Sequence, residues 1–303
     1  MERQILFFAM IHHYRPGKYR ITTLTVEEEE PVTLIDFLVK KLPGESKNSV
    51  KSLLARRTIF VDNKIITRHN YVLKKGQVVV VDKSIRYSGL KIIYEDSSLL
   101  IIDKEPGILS VPIPEKKETT ALDILDFHVK KNNKNTGVYS VHRLDRETSG
   151  IMMFVKDVVI REMMRNNWHQ MISERKYIAV VEGYMEKEEG TLVSWLKEDT
   201  ENKMYVTFNP REGKKAVTHY KVLKRNLGYS LLELELETGR KNQIRVQLNS
   251  IGHPIIGDTW YGAIKDPINR LGLHARVLEF IHPVTRQTMR FESPIPASFL
   301  SLF

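Results

Sequence analysis

Residues Val141-His142-Arg143-Leu144-Asp145-Arg146-Glu147-Thr148-Ser149-Gly150 hold the densest chemistry of the 303-residue chain. Asp145 stands among His142, Arg143 and Arg146, on an expected loop that ends in Thr148-Ser149-Gly150. Nearby cations favour an ionised carboxylate, the form that a nucleophile or general base requires. On these ten residues alone, an ordinary surface ion pair explains Asp145 equally well. Ser149 is no hydrolase nucleophile elbow, because the G-x-S-x-G pattern is missing around it.

Outward from this loop the pattern is strand-rich. Gly150–Lys156 reads as a strand, followed by a helix over Val158–Met171, and Lys176–Glu182 is strand-like again. In Tyr229–Thr238, Leu232, Leu234 and Leu236 alternate with Glu233, Glu235 and Glu237, the period of a half-buried strand. Upstream, Ile92–Glu95 and Leu99–Asp103 flank a polar turn, and Lys104-Glu105-Pro106-Gly107 breaks the second strand. Long strands with few helices predict an α+β domain built on antiparallel sheet.

In this setting H-R-L-D-R-E-T-S-G resembles the signature of the RluA-type pseudouridine synthases, whose single Asp is catalytic. Further blocks similar to that family follow its order. They are Ile93–Pro112 (I-Y-E-D-S-S-L-L-I-I-D-K-E-P-G-I-L-S-V-P), Lys176–Gly183 (K-Y-I-A-V-V-E-G), Thr238–Gly262 and Leu273–Pro283. The resemblance implies that Asp145 is the nucleophile or base, Tyr177 lies against the target uracil, and Arg245 pairs with Asp145. It also implies an RNA isomerase that needs no cofactor and no metal. The sequence is consistent with that, having no G-x-G-x-x-G, no P-loop and no Cys/His zinc spacing. The family usually reads T-G-R-T-H-Q-I-R-V-H-L, whereas this chain carries Lys241, Asn242 and Gln247 at the variable points. Those departures are expected to alter RNA contacts and leave the chemistry intact.

The net charge of +10 is unevenly spread. Residues 32–91 hold 13 Lys/Arg and four acids, a net +9 in one-fifth of the chain. Leu34, Phe37 and Leu38, then Val50, Leu53 and Leu54, recur at helical spacing, with Ser46 or Asn48 as possible caps of the second helix. Its polar face would carry Lys47, Lys51, Arg56 and Arg57, which can lie along phosphates. Short strands are expected at Thr58–Val61 and Gln77–Val81. This stretch resembles the αL RNA-binding motif through V-K-S-L-L-A-R-R, I-F-V-D-N-K-I-I and L-K-K-G-Q-V-V-V-V-D. The acidic run Glu27–Glu30 just before it is expected to be a solvated boundary.

Three segments are therefore expected: an N-terminal extension over 1–19, a small α+β RNA-binding domain over 20–86, and a catalytic domain over 87–303. Besides the catalytic trio, RNA contacts are expected from Lys47, Lys51, Arg56, Arg57, His142, Arg143 and Arg240. The expected partner is structured RNA, large-subunit ribosomal (23S) RNA ahead of tRNA. A non-catalytic RNA-binding protein is the competing reading, which the intact Asp145, Tyr177 and Arg245 oppose. Zero cysteines exclude disulfides and thiol nucleophiles and suit a reducing compartment. No apolar run reaches the roughly 20 residues of a membrane helix. A cytoplasmic monomer is expected, with no membrane partner.

Overall fold

A computed structural model describes residues 21–55, 58–62, 64–82, 90–113, 119–130, 133–207 and 209–303. The chain divides into two units, Met1–Ser88 and Gly89–Phe303. The 1–19 extension, Arg56 and Arg57 lie outside the described residues.

In the first unit, Leu34, Phe37 and Leu38 are fully buried on helix α1 (Leu34–Lys41). Thr33 caps it, accepting from Asp36 N–H at 3.3 Å. Helix α2 (Lys47–Ala55) begins behind Ser46, whose Oγ accepts from Ser49 N–H at 3.1 Å, so Ser46 supplies the cap bond. Val50, Leu53 and Leu54 point into the same core. The strands are β1 (Ile21–Thr25), β2 (Val32–Thr33), β3 (Ile59–Val61), β4 (Lys64–Ile65), β5 (Val72–Leu73) and β6 (Val78–Asp82). They form an antiparallel sheet in the order β1-β6-β3-β4 and a separate β2-β5 pair. The acidic run is more than a boundary: Glu28 pairs with Lys40, Glu27 with Lys41 and Glu29 with Lys75. Surface pairs of this kind contribute little to stability, because water screens them.

The second unit carries strands β7 (Leu90–Glu95), β8 (Leu99–Lys104), β9 (Tyr139–Ser140), β10 (Ser149–Val155), β11 (Ile172–Glu182), β12 (Glu189–Glu198), β13 (Met204–Thr207), β14 (Lys214–Arg225), β15 (Tyr229–Leu236), β16 (Leu273–Ile281) and β17 (Thr288–Glu292). Its helices are α3 (Ala121–Lys130), α4 (Val158–Asn166), α5 (Trp168–Met171), α6 (Gln243–Ser250) and α7 (Ala297–Leu300). Nine strands run in the order β13-β12-β14-β15-β11-β16-β10-β8-β7, with β17 beside β16 and β9 beside β10. The pairing is antiparallel except between β10 and β16. There Gly150 has φ +110°, and a Cβ would stand 2.1 Å from the Ala275 carbonyl oxygen, so glycine permits the close approach.

Alternation sends Leu100, Ile102, Met152 and Phe154 to one face of the sheet and Leu99, Ile101, Ile151 and Met153 to the other. Strand β10 is buried at all seven positions and therefore reads as one apolar run. Tyr177 bridges two core clusters on the first face, that of Leu100 and Phe154 and that of Leu232, Leu234 and Ile244. Leu231 is also buried, because Phe299 of α7 covers the opposite face. The expected helix over 158–171 breaks at Asn167, whose side chain and backbone N–H both bond to the Met163 carbonyl, at 2.8 and 3.0 Å. The strand expected from Lys176 starts earlier, at Ile172.

Candidate active site

Asp145 lies in the loop between β9 and β10, and main-chain bonds hold that loop in place. Ser110 Oγ donates to the Leu144 carbonyl at 2.6 Å and accepts from Leu144 N–H at 3.1 Å. Lys104 is fully buried, and its ammonium donates to the carbonyls of Glu105, Ile108 and Arg146. A buried ammonium supplies three donors, enough to fasten two loops together. Leu144 itself is in the core, which turns the Asp145 side chain outward at 26% exposure.

The facing wall is the start of α6. Gln243 and Gln247 fasten this helix to the sheet. Gln243 accepts from Thr238 Oγ and Arg240 N–H and donates to the Val217 carbonyl. Gln247 accepts from Thr218 Oγ and donates to the Leu192 and Ala216 carbonyls. Ile244 and Leu248 enter the core, leaving Arg245 directed at the loop.

Arg245 Nη1 donates to Asp145 Oδ2 at 3.3 Å, bringing together the two residues expected to pair. Its stronger partner is Asp258, bound through two 2.7 Å bonds in fork geometry with the Asp258 side chain only 1% exposed. Burial alone would lower the Arg245 pKa, but hydrogen bonds and charge from Asp258, then Asp145, raise it above the ordinary value. The guanidinium also lies 4.8 Å over the Tyr261 ring. Asn242 Nδ2 donates to the same Asp145 Oδ2 at 2.6 Å, and Tyr261 hydroxyl donates to Asn242 Oδ1 at 3.3 Å.

Tyr177 is half-buried on β11. Burial pushes its pKa up, the Arg175 charge draws it back and the Asp145 charge raises it, with a net rise. The phenol therefore stays protonated near neutral pH. Its neighbour Arg175 is held over Trp168 at 5.8 Å and against Gly239, where a Cβ would stand 2.9 Å from the guanidinium. Burial lowers the Arg175 pKa. Among the described residues, no cluster of three or more His, Asp or Glu is placed to hold a metal ion.

A carboxylate on a loop, an arginine fork opposite and a tyrosine at the sheet centre coincide with a family match. Residues 98–250 fit the model of the RNA pseudouridylate synthases, half of the chain. The chain belongs to the RNA pseudouridine synthase family. The family's members are isomerases that act on RNA. YhcT of Bacillus subtilis, an uncharacterized RNA pseudouridine synthase, is 32% identical over 295 residues, covering 94% of this chain and 97% of that protein. Ribosomal large subunit pseudouridine synthase D of Neisseria meningitidis serogroup B is 30% identical, covering 86% of this chain and 74% of that one. The solved structure of human RNA pseudouridylate synthase domain containing 4 has a TM-score of 0.56 at 24% identity, over 69% of this chain and 90% of that one, and shares the fold.

The synthase fold sorts the remaining expected residues. Lys47, Lys51, Arg143 and Arg240 are exposed, with Lys47 ion-paired to Asp36 at 2.9 Å and Arg240 Nε donating to the Lys215 carbonyl. His142 is part-exposed and spends one ring nitrogen on the protein's own backbone. Its Nε2 accepts from Met153 N–H at 2.9 Å, its ring lies 5.3 Å from Trp168, and burial, then the Arg175 charge, pushes its pKa down to about 3. A neutral ring that braces the loop in this way offers phosphate no charge at neutral pH. The departures from the usual family pattern are also reassigned: Gln247 is buried structure, and Asn242 touches the Asp145 carboxylate itself. Sequence reasoning missed Asp258, Tyr261, Arg175 and Lys104. A sequence signal existed for the first two, the G-D-T-W-Y-G segment at 257–262, but nothing local says which charge they meet.

Proposed function

We propose that this synthase isomerises specific uridines in structured RNA, most readily large-subunit (23S) ribosomal RNA, with Asp145 as its catalytic carboxylate. The observation that carries the reading is Asp145 itself, part-exposed on a fastened loop and facing Arg245 and Asn242. Its oxygen either attacks the ribose anomeric carbon or removes a ribose proton to give a glycal-like intermediate. Either route needs the carboxylate held in place, and Arg245 holds it through the Nη1–Oδ2 bond. A protonated Tyr177 suits packing against the uracil better than removing the carbon-5 proton. The reaction has no redox step and is assigned no cofactor.

The ribosomal target rests on relatives named as large-subunit synthases. The target uridine must leave its stack, at a cost of a few kcal/mol, which favours loops and bulges. Residues 20–86 are assigned as an αL-type RNA-binding domain whose Lys47, Lys51, Arg56 and Arg57 supply compensating phosphate contacts, alongside Arg143 and Arg240 near the catalytic residues in sequence. No helix among the described residues is long and apolar enough to cross a membrane, and action on cytoplasmic RNA as a monomer is the proposed setting.

The test has two parts. Pseudouridine mapping across total RNA from cells lacking the protein is expected to show loss at ribosomal positions; loss confined to tRNA would overturn the target. Asp145→Ala should abolish turnover in the purified protein, and full isomerase activity in that variant would end the catalytic assignment.

A further inference from the structure

Both side-chain hydrogen bonds to the Asp145 carboxylate end on one oxygen. Asn242 Nδ2 and Arg245 Nη1 both donate to Oδ2, and Oδ1 accepts no hydrogen bond from any described residue. The side chain remains 26% exposed. Among the described residues the carboxylate is thus held through one oxygen only.

Asn242 is unusual in two respects. It occupies the N-cap of α6, yet its side chain makes no cap bond to the helix. An N-cap asparagine ordinarily spends its oxygen on the N–H groups of the first turn. Its backbone is also left-handed, φ 51° and ψ 23°, a conformation that non-glycine residues rarely adopt. Both features turn the carboxamide toward the loop.

The orientation of the amide follows from its partners. A carboxylate oxygen only accepts, so the NH2 end faces Asp145. Tyr261 hydroxyl accepts from Met204 N–H at 3.1 Å, which leaves its proton for Asn242 Oδ1. A directed relay runs from Met204 N–H through Tyr261 and Asn242 to Asp145 Oδ2. Each link polarises the next.

We infer that Asn242 is a positioning residue that ties down Oδ2 and so makes Oδ1 the oxygen of Asp145 that reacts. This rests on the reading of Asp145 as the catalytic carboxylate. On the nucleophilic route, Oδ1 bonds to C1′ as the C1′–N1 bond breaks and its electron pair leaves with uracil. The Oδ1–C1′ bond then breaks as C5 bonds to C1′, and a proton is lost from C5 and gained at N1. On the glycal route, Oδ1 takes the C2′ proton as the N1 bond breaks and returns it when C5 adds to C1′, after which C5 loses its proton and N1 gains one. Either way, a freely rotating carboxylate at Asp145 would hold an oxygen at the productive angle only part of the time.

The left-handed backbone supplies a clean test. Glycine adopts that conformation without strain, so Asn242→Gly removes the carboxamide alone. Asn242→Asp keeps the shape but replaces the donor with a like charge, and Asn242→His restores an N–H donor on a residue that tolerates this backbone. Turnover is read as tritium released from total RNA of cells lacking the protein, labelled at uracil carbon 5. Asn242→Gly should lower kcat about 10- to 100-fold, the range for a hydrogen bond to a charged group, with KM within about twofold. Asn242→Asp should fall further, and Asn242→His should recover at least about tenfold over the glycine variant. Wild-type kcat in the glycine variant, or a loss confined to KM, would overturn the inference. If Asn242→Gly does not fold, the isosteric Asn242→Asp decides it on the same readouts. Asp145→Ala run in parallel separates the readings: an inactive Asp145→Ala beside a fully active Asn242→Gly overturns the role of Asn242 alone.

Discussion

Arg245 answers to two carboxylates of very different standing. Asp258 is buried and takes the guanidinium fork through both oxygens, while Asp145 is part-exposed and takes one longer bond. Asp258 is therefore the anchor, and Asp145 meets a cation whose direction is already fixed. Removing one partner of a buried pair costs up to about 3–5 kcal/mol, and less here because Arg245 keeps its longer bond to Asp145. Asp258→Ala should lower the urea midpoint accordingly and reduce kcat, because Arg245 loses its orientation. An unchanged midpoint would show that Asp258 does not anchor the fork. None of this was legible in sequence: the pairing of Arg245 with Asp145 came from family resemblance, and the dominant partner lies 13 residues away in a turn with no helical or strand period.

At the scale of elements, the Asp145 loop is fastened through its backbone by its neighbours. His142 takes the Met153 N–H of β10, and His274 of β16 meets Ser149 at the loop's end, at 2.8 Å. Both imidazoles are neutral. Burial lowers His142 to about 3, and burial, only partly offset by Asp103, lowers His274 to about 4, from an ordinary 6.5. Unfolding lets each take up a proton once the pH is below about 6.5. Their stabilisation is thus complete above about 6.5 and is lost as pH falls toward the folded values. Between those limits the unfolding free energy should fall by up to about 1.4 kcal/mol per pH unit for each histidine. Urea titrations from about pH 8 to about pH 5 measure this. His142→Gln, which keeps an acceptor for Met153 N–H but cannot titrate, should flatten the slope by up to that amount. An unaltered slope would mean that His142 is not buried neutral.

Over the whole molecule, charge and chemistry occupy different stretches of chain. The net +9 of residues 32–91 was countable in the sequence, but part of it is matched by Glu27, Glu28 and Glu29. If Lys47, Lys51, Arg56 and Arg57 touch phosphates, replacing all four with alanine should weaken RNA binding. The slope of log affinity against log salt should shrink by about 0.7–0.9 for each phosphate that is no longer neutralised. At saturating RNA, kcat should hold. An unchanged slope in a binding titration would remove these residues from the interface.

Strands β8, β10, β11 and β15 were readable because apolar period and turn residues are local properties of the chain. The helix break at Asn167 was not, since it depends on a side chain competing for a backbone carbonyl. Asp145 stood out because an acid among cations is a local pattern too. Which groups meet its carboxylate was decided by folding, for Asn242 and Arg245 lie 97 and 100 residues further on. Contacts at that separation exist only once the sheet has set α6 opposite the loop. The same assembly set His142, an expected phosphate contact, against Met153 N–H as a neutral ring, because desolvation disfavours the protonated form that its residue type can take.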